Sequence, residues 1–291
     1  RLAGALLVVV SCAYAFAPIP LASSLPPNHL LSQRGVSLAV GHVRSGAVRK
    51  ALTLRGGLEQ PSSMGHERLI EVTKEWVKKE IEACDASHDW THVQRVHKSA
   101  MKIAEKEGAG SDDKAELLVI ELAALMHDVR DYKYSGSDSE GVEAGKAFLA
   151  REGVDAALID RVMHVIENVS FSKELARGLP PKGSPPAPVK REVGCVQDAD
   201  RLDAIGAVGI ARCLTFGGAR KRPLYDETVA PRAGLTAEAY RQGSGTTLNH
   251  FYEKLLLLAP LMKTATGRQM AEERHAFMEQ FLSQFHAEVS A

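Results

Sequence analysis

The sequence predicts an all-α fold, a bundle of about eight or more helices within residues 61–291. Apolar residues there recur every three or four positions, which is the spacing that places them on one face of a helix. Runs of alternating β-branched residues, which would predict strands, are lacking in this part of the sequence. Hydrophobic residues make up 45 % of the chain, which is typical of a globular domain with an ordinary core.

Residues 1–60 have the composition of a targeting leader that is cleaved or disordered. An apolar stretch of about ten residues is too short for a membrane span. It ends in small residues, as a signal peptide does. Residues 16–57 contain Ser, Arg, Pro and Gly but no acid, which is typical of a transit peptide. With Phe16 at the junction, the whole resembles the bipartite plastid leader of algae with secondary red plastids.

The leader predicts import into an organelle, with a plastid favoured. Mitochondrial, secretory and cytoplasmic locations are the alternatives, as is a disordered extension without a targeting role. We expect no membrane attachment of the mature protein.

The charge of the chain is zero overall but uneven along its length. Residues 1–58 carry six basic side chains and no acid, so residues 59–291 carry 30 basic and 36 acidic ones. A mildly acidic body argues against bulk nucleic-acid binding, which needs a basic surface. It still allows a small cluster of cations for a phosphate. The four cysteines form no CxxC pair, so a zinc ribbon or a disulfide framework is not expected.

Five helices are predicted in the first half of this body, over residues 66–84, 89–108, 112–126, 141–151 and 154–169. Asp89 is a good N-cap for the second of them, because its carboxylate can accept hydrogen bonds from free N–H groups of the first turn. Gly108 is a typical C-terminal stop for the same helix.

The second half is predicted to alternate loops and helices. The proline-rich residues 178–188 must form a loop, since proline at this density cannot continue a helix. A helix then begins near Val189 and runs through Gly206. Residues 217–245 are rich in Gly, Arg and Pro and form either a substrate lid or a solvated turn. A long amphipathic helix follows over residues 264–289.

The dipeptide His127-Asp128 is the first candidate for chemistry. It closes a long apolar run, so a buried helix would deliver an imidazole and a carboxylate to one point. His92 lies upstream on the second helix, one turn before Arg95, and Asp200 lies downstream. Together these residues are a plausible ligand set for a divalent metal ion. A cation at Arg95 would suit a substrate phosphate.

Three carboxylates crowd the helix that carries Asp200. Asp198, Asp200 and Asp203 in an apolar helix would be costly to bury without partners, and a cation is an obvious one. Asp198 and Asp200 lie about 200° apart around a helix and cannot point the same way. We take Asp200 as the ligand, with Asp203 supporting the site from the same side. In the following segment, Asn249, His250 and Lys254 are candidates to approach it.

These residues, in their helical context, resemble the HD-domain metal-dependent phosphohydrolase superfamily over about residues 65–286. The strings HDWTHVQRV, LAALMHDVRDYKY, IENVSF, QDADRLDAIGAVGIAR and NHFYEKLLLL, in this order, are similar to a small bacterial-type subfamily with nucleotide pyrophosphohydrolase chemistry. The resemblance implies one divalent ion held by His92, His127, Asp128 and Asp200. His164 is a weaker candidate for a second metal ion, and we expect a mononuclear site.

Two imidazoles and two carboxylates without a thiolate suit a borderline-to-hard ion. We expect Mn, with Fe, Co, Ni or Mg as alternatives. Asp131 lies where related nucleotidases carry an acid, so the resemblance makes it, with Asp128, a candidate catalytic residue.

Three cations are candidates to contact a substrate phosphate, namely Arg95, Lys133 and Arg201. Lys133 and Asp131 would otherwise be solvated loop charges. For Arg201 the alternative is a structural ion pair with Asp198.

The expected function is hydrolysis of a small-molecule nucleotide, with pyrophosphate release from a (deoxy)nucleoside triphosphate favoured and a metal-activated water as nucleophile. The alternatives are a phosphodiesterase, an alarmone-type hydrolase, or a nucleotide-binding module that holds a metal ion without turnover. Fold and metal do not by themselves choose the bond that is cleaved. A homodimer is compatible with the sequence.

Overall fold

Helices make up all the regular secondary structure of the part of the chain that is described, which confirms the all-α prediction. The computed structural model describes residues 63–290 except positions 83, 86, 131–135, 137–138, 182 and 243–244. The predicted leader, residues 1–60, lies outside the described residues.

Eleven α-helices are described in this range: α1 (Ser63–Glu80), α2 (Trp90–Lys106), α3 (Ala115–Met126), α4 (Glu140–Arg151), α5 (Ala156–Val169), α6 (Phe171–Arg177), α7 (Arg191–Asp203), α8 (Gly206–Ala219), α9 (Ala237–Gln242), α10 (Leu256–Leu258) and α11 (Ala265–Val289). A π-helical turn (Phe251–Leu255) precedes α10, and a 3₁₀ turn (Ala259–Leu261) follows it.

The start of α2 follows from its capping residue. The Asp89 carboxylate accepts a hydrogen bond from the backbone N–H of His92 at 3.0 Å, which confirms the predicted N-cap. Val93 and Val96 in the next turn are buried, so the face that carries His92 is turned into the core.

The apolar helix α3 lies at the centre of the bundle. It packs against α1, α2, α5 and α7. Leu122, Ala123 and Ala124 are fully buried, so the helix has little polar surface near its C-terminal end. Neighbours on several sides hold α3 rigidly, and they therefore fix the position of His127, which follows its last residue.

The chain bends between α7 and α8, where the sequence predicted one helix through Gly206. The two helix axes differ by 70°. Gly206 has φ +72°, a left-handed conformation that favours glycine. A Cβ at Gly209 would clash with the carbonyl oxygen of Ala204. The predicted helix through Gly206 therefore ends earlier, at Asp203, because the two glycines allow a tight turn directly after that residue.

No single described helix is long and apolar enough to cross a membrane, although α7 and α8 together pass that test of length and composition.

Asp198 anchors the start of α11 and does not face the candidate site. Its fully buried carboxylate accepts hydrogen bonds from the backbone N–H groups of Lys263 at 2.9 Å and Thr264 at 2.7 Å. The Thr264 hydroxyl donates a further hydrogen bond to it at 2.8 Å. The predicted contrast between Asp198 and Asp200 is thus present in the structure, and Asp198 has a structural role.

We expect Asp198→Ala to lower the free energy of unfolding by roughly 1–3 kcal/mol, because it leaves buried N–H groups without their acceptor. Urea denaturation followed by circular dichroism measures this loss. Asp160→Ala, at an exposed position on α5, is the matched control and should change stability by less than about 0.5 kcal/mol. Equal stability of the two variants would contradict the anchoring role.

Candidate metal centre

Four side chains from three parts of the bundle converge at one point. His92 Nε2 lies 3.3 Å from His127 Nε2, 3.1 Å from Asp128 Oδ2 and 3.7 Å from Asp200 Oδ1. His127 Nε2 lies 3.5 Å from Asp128 Oδ2 and 3.7 Å from Asp200 Oδ1. These are the four residues that the sequence analysis selected as metal ligands.

The spacing of these atoms fits a divalent ion. Ligands about 2.1 Å from an octahedral ion lie about 3.0 Å from their neighbours, so small side-chain movements would bring the set into coordination distance. His92, His127 and Asp128 alone form a compact group that could hold a metal ion. The side chain of Asp200 is 30 % exposed, whereas both imidazoles are only 1 % exposed, so the open side of the centre lies towards Asp200.

The hydrogen bonds of the two imidazoles orient Nε2 towards that point. His127 Nδ1 lies 2.9 Å from the carbonyl oxygen of Ala124, one turn back in α3. His92 Nδ1 lies 2.7 Å from Asp203 Oδ2. Because each Nδ1 meets an acceptor, it carries the proton in the neutral ring, and Nε2 is left with a lone pair for a metal ion.

The electrostatics of the centre favour positive charge. Burial lowers the pKa of His127, but Asp128 and Asp200 raise it by more, to about 9. Burial likewise raises the pKa of Asp200, while the hydrogen bond and charge of His127 bring it below its ordinary value. The carboxylates therefore stabilise a positive charge beside His127 Nε2, which is where a divalent cation would lie.

Asp203 supports the centre from behind, as expected. In addition to its contact with His92, it accepts hydrogen bonds from Arg95 Nε at 2.7 Å and Arg95 Nη2 at 3.0 Å. Arg212 Nη1 lies 3.2 Å from Asp203 Oδ2. Burial raises the pKa of Asp203, but the hydrogen bonds from His92 and Arg95 lower it by more, so the carboxylate is ionised. Arg95 thus forms a bidentate ion pair with Asp203. The N–H groups of Arg95 that were expected to contact a substrate phosphate are used in this ion pair.

Arg201 does not have the position expected for a phosphate contact. Its side chain is 2 % exposed, forms an ion pair with Glu174 on α6 and donates to the carbonyl oxygen of Leu261 at 3.0 Å. Lys263 pairs with the same Glu174 carboxylate. Arg201 therefore has a structural role in place of the expected phosphate contact. Its ion-pair partner is Glu174, whereas the alternative stated from the sequence was Asp198.

Two predicted site residues, Asp131 and Lys133, lie outside the described residues. His164, considered for a second metal ion, is exposed on α5. Glu121 accepts hydrogen bonds from His66 at 2.9 Å and His97 at 3.0 Å and lies at the edge of the core, away from the metal ligands.

Sequence reasoning missed two residues near the site. Arg212 lies beyond the α7–α8 bend, and only that bend turns it back towards Asp203. Glu174 belongs to the short helix α6, which was not predicted. Glu174 is the one acid of this seven-residue helix, which is a weak signal by itself.

Comparison with known proteins agrees with this arrangement. The model of the HD domain family matches residues 89–205, a range that includes all four converging residues and the helices α2, α3 and α7 that position them. The Bacillus subtilis protein YpgQ is 40 % identical over 219 residues, covering 75 % of this chain and 93 % of that protein.

Three solved structures share the fold. A protein from Lactobacillus plantarum is 36 % identical, with a TM-score of 0.67 over 77 % of this chain and 98 % of its own. An HD-superfamily hydrolase from Bacillus thuringiensis is 38 % identical, with a TM-score of 0.56 over 78 % and 99 %. Bacillus subtilis YpgQ in complex with ADP is 33 % identical in the structural alignment, with a TM-score of 0.57 over 77 % and 97 %. The likeness extends over nearly the whole length of each relative, and the chain belongs to the HD-domain family.

Proposed function

We propose that the protein is a metal-dependent phosphohydrolase that acts on nucleotides and releases pyrophosphate from a (deoxy)nucleoside triphosphate. The observation that carries the proposal is that Nε2 of His92 and of His127 each lies 3.1–3.7 Å from a carboxylate oxygen of Asp128 and of Asp200. A divalent ion in such a site lowers the pKa of water and neutralises negative charge on a phosphoryl group. Without a thiolate, the ligand set suits Mn first, then Fe, Co, Ni or Mg.

The residues around the ligands have separate tasks in this proposal. Asp203 holds the His92 ring through Nδ1, and the Ala124 carbonyl oxygen holds the His127 ring in the same way. Fixed rings cost less reorganisation during the reaction. We assign proton transfer to Asp128 and Asp131 and a phosphate contact to Lys133. Asp131 and Lys133 lie three and five positions after Asp128 in the sequence.

The choice of a nucleotide rests on a relative. YpgQ has been crystallised in complex with ADP, and this chain covers 93 % of its length. The acidic body of the chain agrees with a small-molecule ligand, because a nucleic-acid polymer would favour a basic surface.

We expect His127→Ala and Asp128→Ala each to remove bound Mn and to lower turnover of a deoxynucleoside triphosphate by at least about 100-fold, because each removes a ligand of the ion. Metal content is measured by atomic absorption and turnover by product chromatography. His164→Ala, which removes an exposed imidazole, is the control and should retain both. A variant of the ligand pair with unchanged metal content and rate would sink the proposed centre.

Asp203→Asn should weaken Mn binding about 10- to 100-fold while leaving the four ligands in place, because the amide orients His92 less well than the carboxylate does. Titration of the metal-free protein with Mn measures the dissociation constant. Circular dichroism confirms that the variant is folded. An unchanged constant would show that Asp203 does not act on the centre through His92.

Product analysis decides which bond is cleaved. With Mn and a deoxynucleoside triphosphate, we expect pyrophosphate and the nucleoside monophosphate in equal amounts, and chelation of the metal should stop the reaction. Orthophosphate as the first product would indicate a different phosphohydrolase. Binding of the nucleotide without any product would contradict an enzymatic role.

A further inference from the structure

An open pocket of about 90 Å³ lies beside the metal centre and contains none of its four ligands. One wall is the face of α8 that presents Gly209, Cys213, Phe216 and Gly217. These residues recur at helical spacing, so a whole side of α8 is turned to the pocket.

The pocket adjoins the metal centre through two contacts. His88, which lines it, has its ring centroid 5.8 Å from that of the metal-ligand candidate His92. Arg212, also in the lining, donates from Nε to the Ser87 carbonyl oxygen at 2.7 Å and reaches Asp203 with Nη1. A ligand in the pocket would therefore be separated from His92 by the side chain of His88, and from Asp203 by the side chain of Arg212.

The chemistry of the lining favours an aromatic ligand with acceptor atoms. Tyr240 and His250, which also line the pocket, stack with ring centroids 6.1 Å apart, and the Arg222 guanidinium lies 5.5 Å from the centroid of Phe216. Lys254 lies 5.9 Å from the Tyr240 ring. None of the described residues that line the pocket carries a carboxylate. The pocket thus offers flat surfaces and hydrogen-bond donors without a fixed negative charge.

Arg222 differs from Arg212, the other arginine of the pocket. Arg212 is occupied by Asp203 and Ser87, whereas within the described ranges no carboxylate forms a salt bridge with Arg222. Its guanidinium is planar and is supported on one side by Phe216. A planar cation in this position can stack on a nucleobase, as arginine does in nucleic-acid sites.

We propose that this pocket binds the nucleoside end of the substrate, with the base stacked on Arg222 and the phosphates extending past His88 to the metal centre. The inference rests on the proposed function for the direction in which the phosphates point. The inference assigns recognition of the base to residues of the pocket, which are separate from the four candidate metal ligands. The basic turn after Gly217, which the sequence left as a lid or a solvated turn, supplies the stacking residue.

The test compares the affinities of ADP and inorganic pyrophosphate for the Mn-loaded protein by isothermal titration calorimetry. We expect Arg222→Met and Arg222→Lys each to weaken ADP binding about tenfold, because lysine keeps the charge but lacks the flat surface. Pyrophosphate binding should be unchanged in both variants. Arg220→Met is the matched control: Arg220 also lies over Phe216, at 5.2 Å, but does not line the pocket, and ADP binding should stay at the wild-type level.

Other outcomes overturn the inference. If Arg222→Lys binds ADP like the wild type while Arg222→Met weakens ADP and pyrophosphate equally, the residue binds phosphate and the base lies elsewhere. If neither variant affects ADP, the pocket is not the nucleoside site. Metal content checks that each variant is intact. Because only binding is measured, a wrong assignment of the cleaved bond leaves these results unchanged, and a failed pocket leaves metal-dependent turnover unchanged.

Discussion

The carboxylate of Asp203 is the group on which the organisation of the centre depends. It lies at the end of α7 and contacts His92 Nδ1, the fork of Arg95 and the Nη1 atom of Arg212. Burying one carboxylate is costly, and two arginines and an imidazole offset that cost. The same contacts link α2, α7 and α8 beside the candidate metal ligands. The orientation of His92 is therefore a property of three helices.

The sequence could predict the ligands because their signals are local. His127-Asp128 ends an apolar helix, Asp89 caps the helix of His92, and both features lie within a few residues of the ligand concerned. The contrast between Asp198 and Asp200 followed from helix geometry alone. The fold class was accessible for the same reason, since helical periodicity depends on neighbouring positions.

What the sequence could not predict depends on contacts between distant parts of the chain. Arg201 has the same local pattern whether it meets a phosphate or Glu174, and only the packing of α6 beside α7 decides between them. Arg212 reaches Asp203 because two glycines permit a sharp bend, and helical periodicity does not give the direction in which the chain continues after such a bend. A buried ion pair between two helices leaves no recognisable pattern in the sequence of either helix alone.

The bend between α7 and α8 has a consequence for how such a protein can diverge. α7 carries Asp200 and Asp203, while α8 lines the pocket with side chains that touch no metal ligand apart from the link through Arg212. Substitutions along the pocket face of α8 can therefore change the shape and charge of the pocket without altering α7, which carries Asp200 and Asp203. A turn of only two residues, Ala204 and Ile205, thus separates the helix that carries Asp200 and Asp203 from the helix that lines the pocket, so the lining can diverge while the first helix stays unchanged.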